Sequence, residues 1–258
     1  MAQSVSIGTA YSEAAAFVRC EKTLLAPLVL ALMVVPATIS QLVQPSNPFA
    51  GPGGLEPWMG IALAALIAGL VGQMAVSRLA MGWPGALGEA IMLALKRLPT
   101  TIGALLLFFL CVSLVLIPII VILSLLGGGA AKLANVLTLL ALFAAAPRIL
   151  LAPAIAMDQK LAPWGLVVAA WRASSGHYWR LLGFFLLFMT ASLIFALAAS
   201  SVVGSIASLA IGPPEPMSVS RLTIALVGGV VQGAVATIYA AMIGRIVAQL
   251  PARSTSGI

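Results

Sequence analysis

Charge is what this chain of 258 residues has least of: 7% of it is Asp, Glu, Lys or Arg, against about 25% in an ordinary soluble domain. So few charges cannot cover a water-facing surface, which excludes a soluble globular protein. There are six acids and one histidine. Their spacing assembles neither a carboxylate pair nor a metal-ligand cluster, so no metal, no cofactor and no enzymatic activity are expected. The two cysteines, Cys20 and Cys111, lack a CxxC spacing. One falls before the first span and the other inside a later one, so neither a disulfide nor a zinc site is expected. Runs of Lys or Arg are missing as well. The net charge of +7 is scattered among helix ends, which offers no footprint for nucleic acid and reports instead on topology and anionic lipid headgroups.

What the chain has is apolar length. Hydrophobic residues make up 62% of it and the mean hydropathy is +1.16. Apolar runs of about 20 residues recur, each long enough to cross a hydrocarbon layer of roughly 30 Å as a helix. Segments such as "LLAPLVLALMVVPATI" and "LLLFFLCVSLVLIPIIVIL" are apolar on all sides. A barrel strand would alternate, so the fold class is an all-α, six-helix membrane bundle. The spans read as Thr23–Leu42, Trp58–Ser77, Thr101–Leu126, Leu133–Pro153, Trp179–Leu209 and Leu222–Ile246. The first apolar run follows Glu13, Arg19, Glu21 and Lys22 and is a full span long, so it reads as an anchor rather than a cleaved leader. Pro27, Pro36 and Pro118 are candidate kinks.

Placing the N-terminus inside puts eleven of the thirteen Lys and Arg residues on or near the cytoplasmic side, leaving only Lys132 and Arg221 outside. That bias predicts a multi-pass protein of the bacterial plasma (inner) membrane with both termini cytoplasmic. The loops "QPSNPFAGPGGLEP", "GGGAAK" and "GPPEPMSVSR" read as short irregular connections, and residues 252–258 as a polar tail.

Before each odd-numbered span lies an amphipathic stretch. In "GALGEAIMLALKRLP" the residues Leu87, Ala90, Ile91, Ala94, Leu95 and Leu98 share one helical face, and in "IGTAYSEAAAFVRCEK" Ile7, Ala10, Ala14, Phe17 and Val18 do so more weakly. The third stripe is Trp164, Val167, Val168, Trp171, Ser175 and Tyr178. Such helices lie in the headgroup layer as elbows. A shift of eighty positions carries Gly85 onto Gly165, Ala90 onto Ala170, Gly103 onto Gly183 and one "LLF" onto another. The even spans end alike in "QMAVSRLA", "FAAAPRIL" and "AAMIGRIV". The single transmembrane domain, 1–258, therefore reads as three repeats of elbow plus hairpin, about 4–80, 82–153 and 160–250, with Arg78, Arg148 and Arg245 equivalent.

The middle segment, "PRILLAPAIAMDQKLAPWGLVVAAWRASSGHYWRLLGFFLL", resembles the bacterial glycerophosphoryl diester phosphodiesterase membrane domain family. The positions carrying the resemblance are Arg148, Pro153, Asp158, Gly165, Ala170, Trp171, Ser174, Trp179, Arg180 and Gly183. It implies a six-span membrane fold. It does not imply the phosphodiesterase, which in fused relatives is a separate soluble barrel for which this chain has no room.

Candidate ligand residues are those the elbows bring to headgroup level: Trp164, Trp171, Arg172, His177 and Arg180, with Arg78, Arg148 and Arg245 at the ends of the even spans. Arg148, followed by more apolar chain, reads as the deepest and would meet Asp158, Glu89 or a lipid phosphate. A Ser–His–acid set of Ser174 or Ser175, His177 and either Asp158 or Glu89 is disfavoured, since neighbours on one helix rarely have triad geometry. Gln73 and Gln232 are polar groups inside spans, where interhelical hydrogen bonds account for them. Gly229-x-x-x-Gly233 and Ser200-x-x-x-Gly204-x-x-x-Ser208 read as packing seams. The expectation is a non-catalytic accessory or scaffold protein whose partners are membrane lipids and another membrane subunit. The alternative is a carrier of a lipid or small hydrophobe, which a polar cavity lined by Gln73, Arg148 and Gln232 would favour.

Overall fold

The computed structural model describes residues 6–45, 56–125, 128–210, 212 and 218–250. Among these there are helices and no strand. In chain order they are α1 (Ile7–Cys20), α2 (Lys22–Val29), a π turn (Leu30–Val34), α3 (Val35–Val43), α4 (Pro57–Ala80), α5 (Leu87–Leu125), α6 (Gly128–Ile149), α7 (Ala152–Asp158), α8 (Pro163–Ser175), α9 (Tyr178–Ala210) and α10 (Val219–Gln249). Six stretches are long and apolar enough to cross a membrane: Lys22–Val43, Pro57–Ala80, Leu87–Leu123, Val136–Asp158, Tyr178–Ala210 and Val219–Gln249. They give the chain the architecture of a multi-pass membrane protein.

Local sequence explains most joints. Ser6 caps α1 by accepting from the Thr9 N–H at 3.3 Å. Inside the first span Pro36 has no N–H to offer, and the helix re-pairs around it with the five-residue π turn, in which Val35 N–H reaches Leu30 O. The fourth span ends α6 just after Pro147 and Arg148, turns at Leu150 and Leu151, and resumes as α7 with Pro153 in its first turn. Gly176 and His177 form the turn that separates α8 from α9.

Two expectations need correction. The second amphipathic stretch is not a separate elbow, because α5 runs unbroken through Pro99 for 39 residues, about 58 Å at the helical rise. Thr101 Oγ–H donates to the Arg97 carbonyl at 3.0 Å beside that proline, and the stripe residues Ala90 and Ala94 are fully buried. Secondly, of "GGGAAK", residues 128–132 are helical and belong to α6. The other two outer connections fall largely outside the described residues, as does the 252–258 tail.

Burial concentrates at one end of the bundle. The last turns of α4 (Met74 to Ala80), α7 (Ala152 to Met157) and the Ala240–Ile246 stretch of α10 form a single core with Ala10 and Ala14 of α1. Glycines set that contact: a Cβ on Gly244 would strike the backbone carbonyl oxygen of Ser77. Gly229 and Gly233 seat α10 against Thr38 and Val34 of the first span, so that seam is real. In the other seam Gly204 faces Ile224, while Ser200 and Ser208 are exposed. The third and fifth spans stand apart. Only 6% and 11% of their most apolar windows are buried, against 44% and 39% for the fourth and sixth, so their outer faces meet lipid or another protein.

Candidate functional site

Arg78, Arg148 and Arg245 each lie within about a turn of the C-terminal end of a helix, α4, α6 and α10 respectively, where the helix dipole favours a cation. All three guanidinium groups lie over aromatic rings. Arg78 lies 4.4 Å from the Trp83 ring centre, Arg245 lies 5.9 Å from Phe17, and Arg148 is held between Trp171 at 4.5 Å and Tyr178 at 4.6 Å. Such stacks contribute on the order of 0.5–2 kcal/mol each, most where water is excluded.

The three differ in their counter-ions. Arg78 Nη1 pairs with Asp158 Oδ1 at 3.1 Å, and Arg245 Nη1 lies 4.0 Å from Glu13 Oε2. Arg148 meets no carboxylate among the described residues, and its Nη1 is buried without a hydrogen-bond partner. The expected contact of Arg148 with Asp158 or Glu89 is therefore not made, and Asp158 belongs to Arg78. Tyr178, one wall of the Arg148 clamp, is held in place by its hydroxyl, which donates to the Ala144 carbonyl at 2.9 Å.

Beside this clamp runs an apolar groove of about 500 Å³ between α5, α6 and α8. Phe108, Val112 and Leu116 line its length, and Trp164, Trp171 and Arg172 its rim. The rim tryptophans are exposed, while the opposite face of α8, Leu166, Ala170 and Ser174, is buried. Of the stripe read from the sequence, Trp164, Trp171 and Ser175 lie on the exposed face of α8, whereas Val167 is buried and Tyr178 belongs to α9. Gly103 lets α8 sit close on α5, since a Cβ there would stand 3.2 Å from Pro163.

The remaining candidates are placed as follows. Arg172 and Arg180 are exposed and His177 lies half-buried in the α8–α9 turn. Ser174 and Ser175 donate to the backbone carbonyls of Trp171 and Arg172, at 2.9 and 2.8 Å. Gln73 and Gln232 line a different cavity, between the first, second and sixth spans, which Arg148 does not enter. Sequence reading missed Trp83 and Phe17 as arginine partners, although an aromatic within a few residues of an elbow is a visible signal. It also missed Arg221, whose guanidinium donates to the carbonyls of Gln41 and Gln44 and so caps the first span at the end away from the elbows.

Among the described residues no group of His, Cys, Asp or Glu could hold a metal ion. No protein-family model, curated protein or solved structure matches this chain, so the family resemblance rests on the quoted residues alone.

Proposed function

We propose that this chain is a non-catalytic scaffold of the bacterial plasma membrane, with both termini cytoplasmic, that holds one anionic phospholipid at its third elbow. The observation that carries this reading is Arg148. Each of the three arginines keeps one buried guanidinium nitrogen without a partner, Nε in Arg78 and Arg245 and Nη1 in Arg148, but only Arg148, between two aromatic rings, also lacks a carboxylate among the described residues. A phosphate oxygen would complete it with a charge-assisted hydrogen bond, which is worth about 1.5–3 kcal/mol. Arg172 at the groove rim supplies a second cation, and the apolar groove below takes an acyl chain. Trp171, shared by the Arg148 clamp and the groove rim, would set headgroup and tail side by side.

The repeat reading belongs to the same proposal. Units of about 4–80, 82–153 and 160–250 each contribute an arginine that stacks on an elbow or pre-elbow ring, and the last unit's Arg245 closes back on Phe17 of the first. The bare faces of α5 and α9 are the surface on which another membrane subunit would seat. The test is quenching of tryptophan fluorescence in bilayers by brominated phosphatidylglycerol against brominated phosphatidylcholine. Stronger quenching by the anionic lipid, lost in Arg148→Gln, is expected. Equal quenching by both lipids in the wild type refutes the site.

A further inference from the structure

Four of the chain's seven glutamines, Gln41, Gln44, Gln73 and Gln232, come together with Ser40 around a second cavity of about 450 Å³. A carboxamide inside a span needs a partner, because hydrocarbon offers none. Here the pairing is incomplete. Gln41 Nε2 donates to Gln232 Oε1 across 3.5 Å, and the Gln73 carboxamide makes no hydrogen bond among the described residues. The space exists because α4 turns a stripe of small residues, Ala62, Ala65 and Gly69, toward the first span. A Cβ added at Gly69 would meet nothing within 4 Å. Along α4 the cavity extends from Ala62 to Gln73, about 16 Å at the helical rise, and stops one to two turns short of Arg78. Its wall includes Met33 of the π turn, a helical irregularity that recurs at functional sites.

The geometry points to a binding site for a small uncharged solute bearing both hydrogen-bond donors and acceptors, of the polyol or amide class. Each carboxamide offers two donors and an acceptor on one side chain, which matches such a solute. Among the described residues no charged side chain lines the cavity, and Arg221, which sits on the Gln41 and Gln44 carbonyls, is committed to that cap. The volume lies within the roughly 300–1,000 Å³ of small-molecule sites. This site is separate from the lipid groove, and neither reading depends on the other.

The test is made on the full chain in proteoliposomes carrying Cys20→Ser and Cys111→Ser, with Ala65→Cys as reporter and Ala62→Cys as a second reporter should the first fail to fold. The rate of modification by N-ethylmaleimide is measured with glycerol, myo-inositol, urea or acetamide, and with glycine or acetate as charged controls. One neutral solute is expected to slow modification in a saturable manner, by about tenfold at ten times its Kd. The charged controls leave the rate unchanged, and Gly69→Leu, which fills the cavity, abolishes the protection. An inert reporter at both positions, or a reactive one that none of the four neutral solutes protects, overturns the proposal, the latter meaning that the cavity holds water alone.

Discussion

Replacing Gly244 by alanine tests whether the elbow end of the bundle is as tightly closed as its geometry says. The new Cβ would land on the backbone carbonyl oxygen of Ser77 and 3.1 Å from Ala80 Cβ. Neither obstacle is the far end of a flexible side chain, so the methyl can be housed only by moving α10 away from α4. Non-bonded carbons are best separated at about 3.5–4 Å, so the helices must part by on the order of 1 Å. Overpacking of this kind costs about 1–3 kcal/mol. The same shift would loosen Met74, Ala75, Ala241 and Ile243, all buried at that interface. Gly69→Ala on the same α4 is the matched control, because its Cβ enters open space, and replacing a mid-helix glycine favours the helix by up to about 1 kcal/mol. Thermal unfolding in mild detergent should therefore place Gly244→Ala below wild type and Gly69→Ala at or above it. Equal melting temperatures for the two variants would refute the close approach of α4 and α10.

Two further outcomes follow from the same geometry. Asp158→Asn should cost less than about 1 kcal/mol, because Asp158 is half exposed and solvent screens the pair, whereas Arg78→Ala also vacates the face of Trp83 and should cost more; unfolding at low and high salt orders the two. With the elbows on the cytoplasmic side, Cys20, exposed at the end of α1, should react with a membrane-impermeant maleimide in inside-out vesicles and not in right-side-out ones, while Cys111, in the apolar groove of the third span, reacts in neither; the reverse sidedness at Cys20 would invert the topology.

The spans are legible in sequence because an apolar run of span length has few alternatives in a chain with so little charge. The breaks that set α1 and α8 off from the spans after them are legible because the chain itself marks them, at Glu21 in one case and Gly176–His177 in the other. The second amphipathic stretch is not set off, because stretch and span share one helical period and no residue at the joint forces a turn; Pro99 costs a single hydrogen bond, and the helix continues. The glycines before α6 mislead for a related reason. Glycine permits a turn without requiring one, and residues 128–132 stay helical.

The arginine site is half legible. That Arg78, Arg148 and Arg245 are alike can be read from the three similar span endings. Which of them lacks a carboxylate cannot, because Asp158 is ten residues from Arg148 and eighty from Arg78, and only the packing of α7 on α4 gives it to the latter. The glutamine cavity is hidden by composition. Ala62, Ala65 and Gly69 look like any other apolar stripe until a second helix fails to fill the space above them.

The central claim is an anionic phospholipid bound at Arg148, and native mass spectrometry of gently extracted protein tests it most directly. Wild type and Arg78→Ala should each retain a single anionic phospholipid that Arg148→Ala loses, because Arg78 already has Asp158 and Arg148 has no carboxylate partner. The same lipid retained on all three proteins, or on none, would contradict a lipid site at the third elbow.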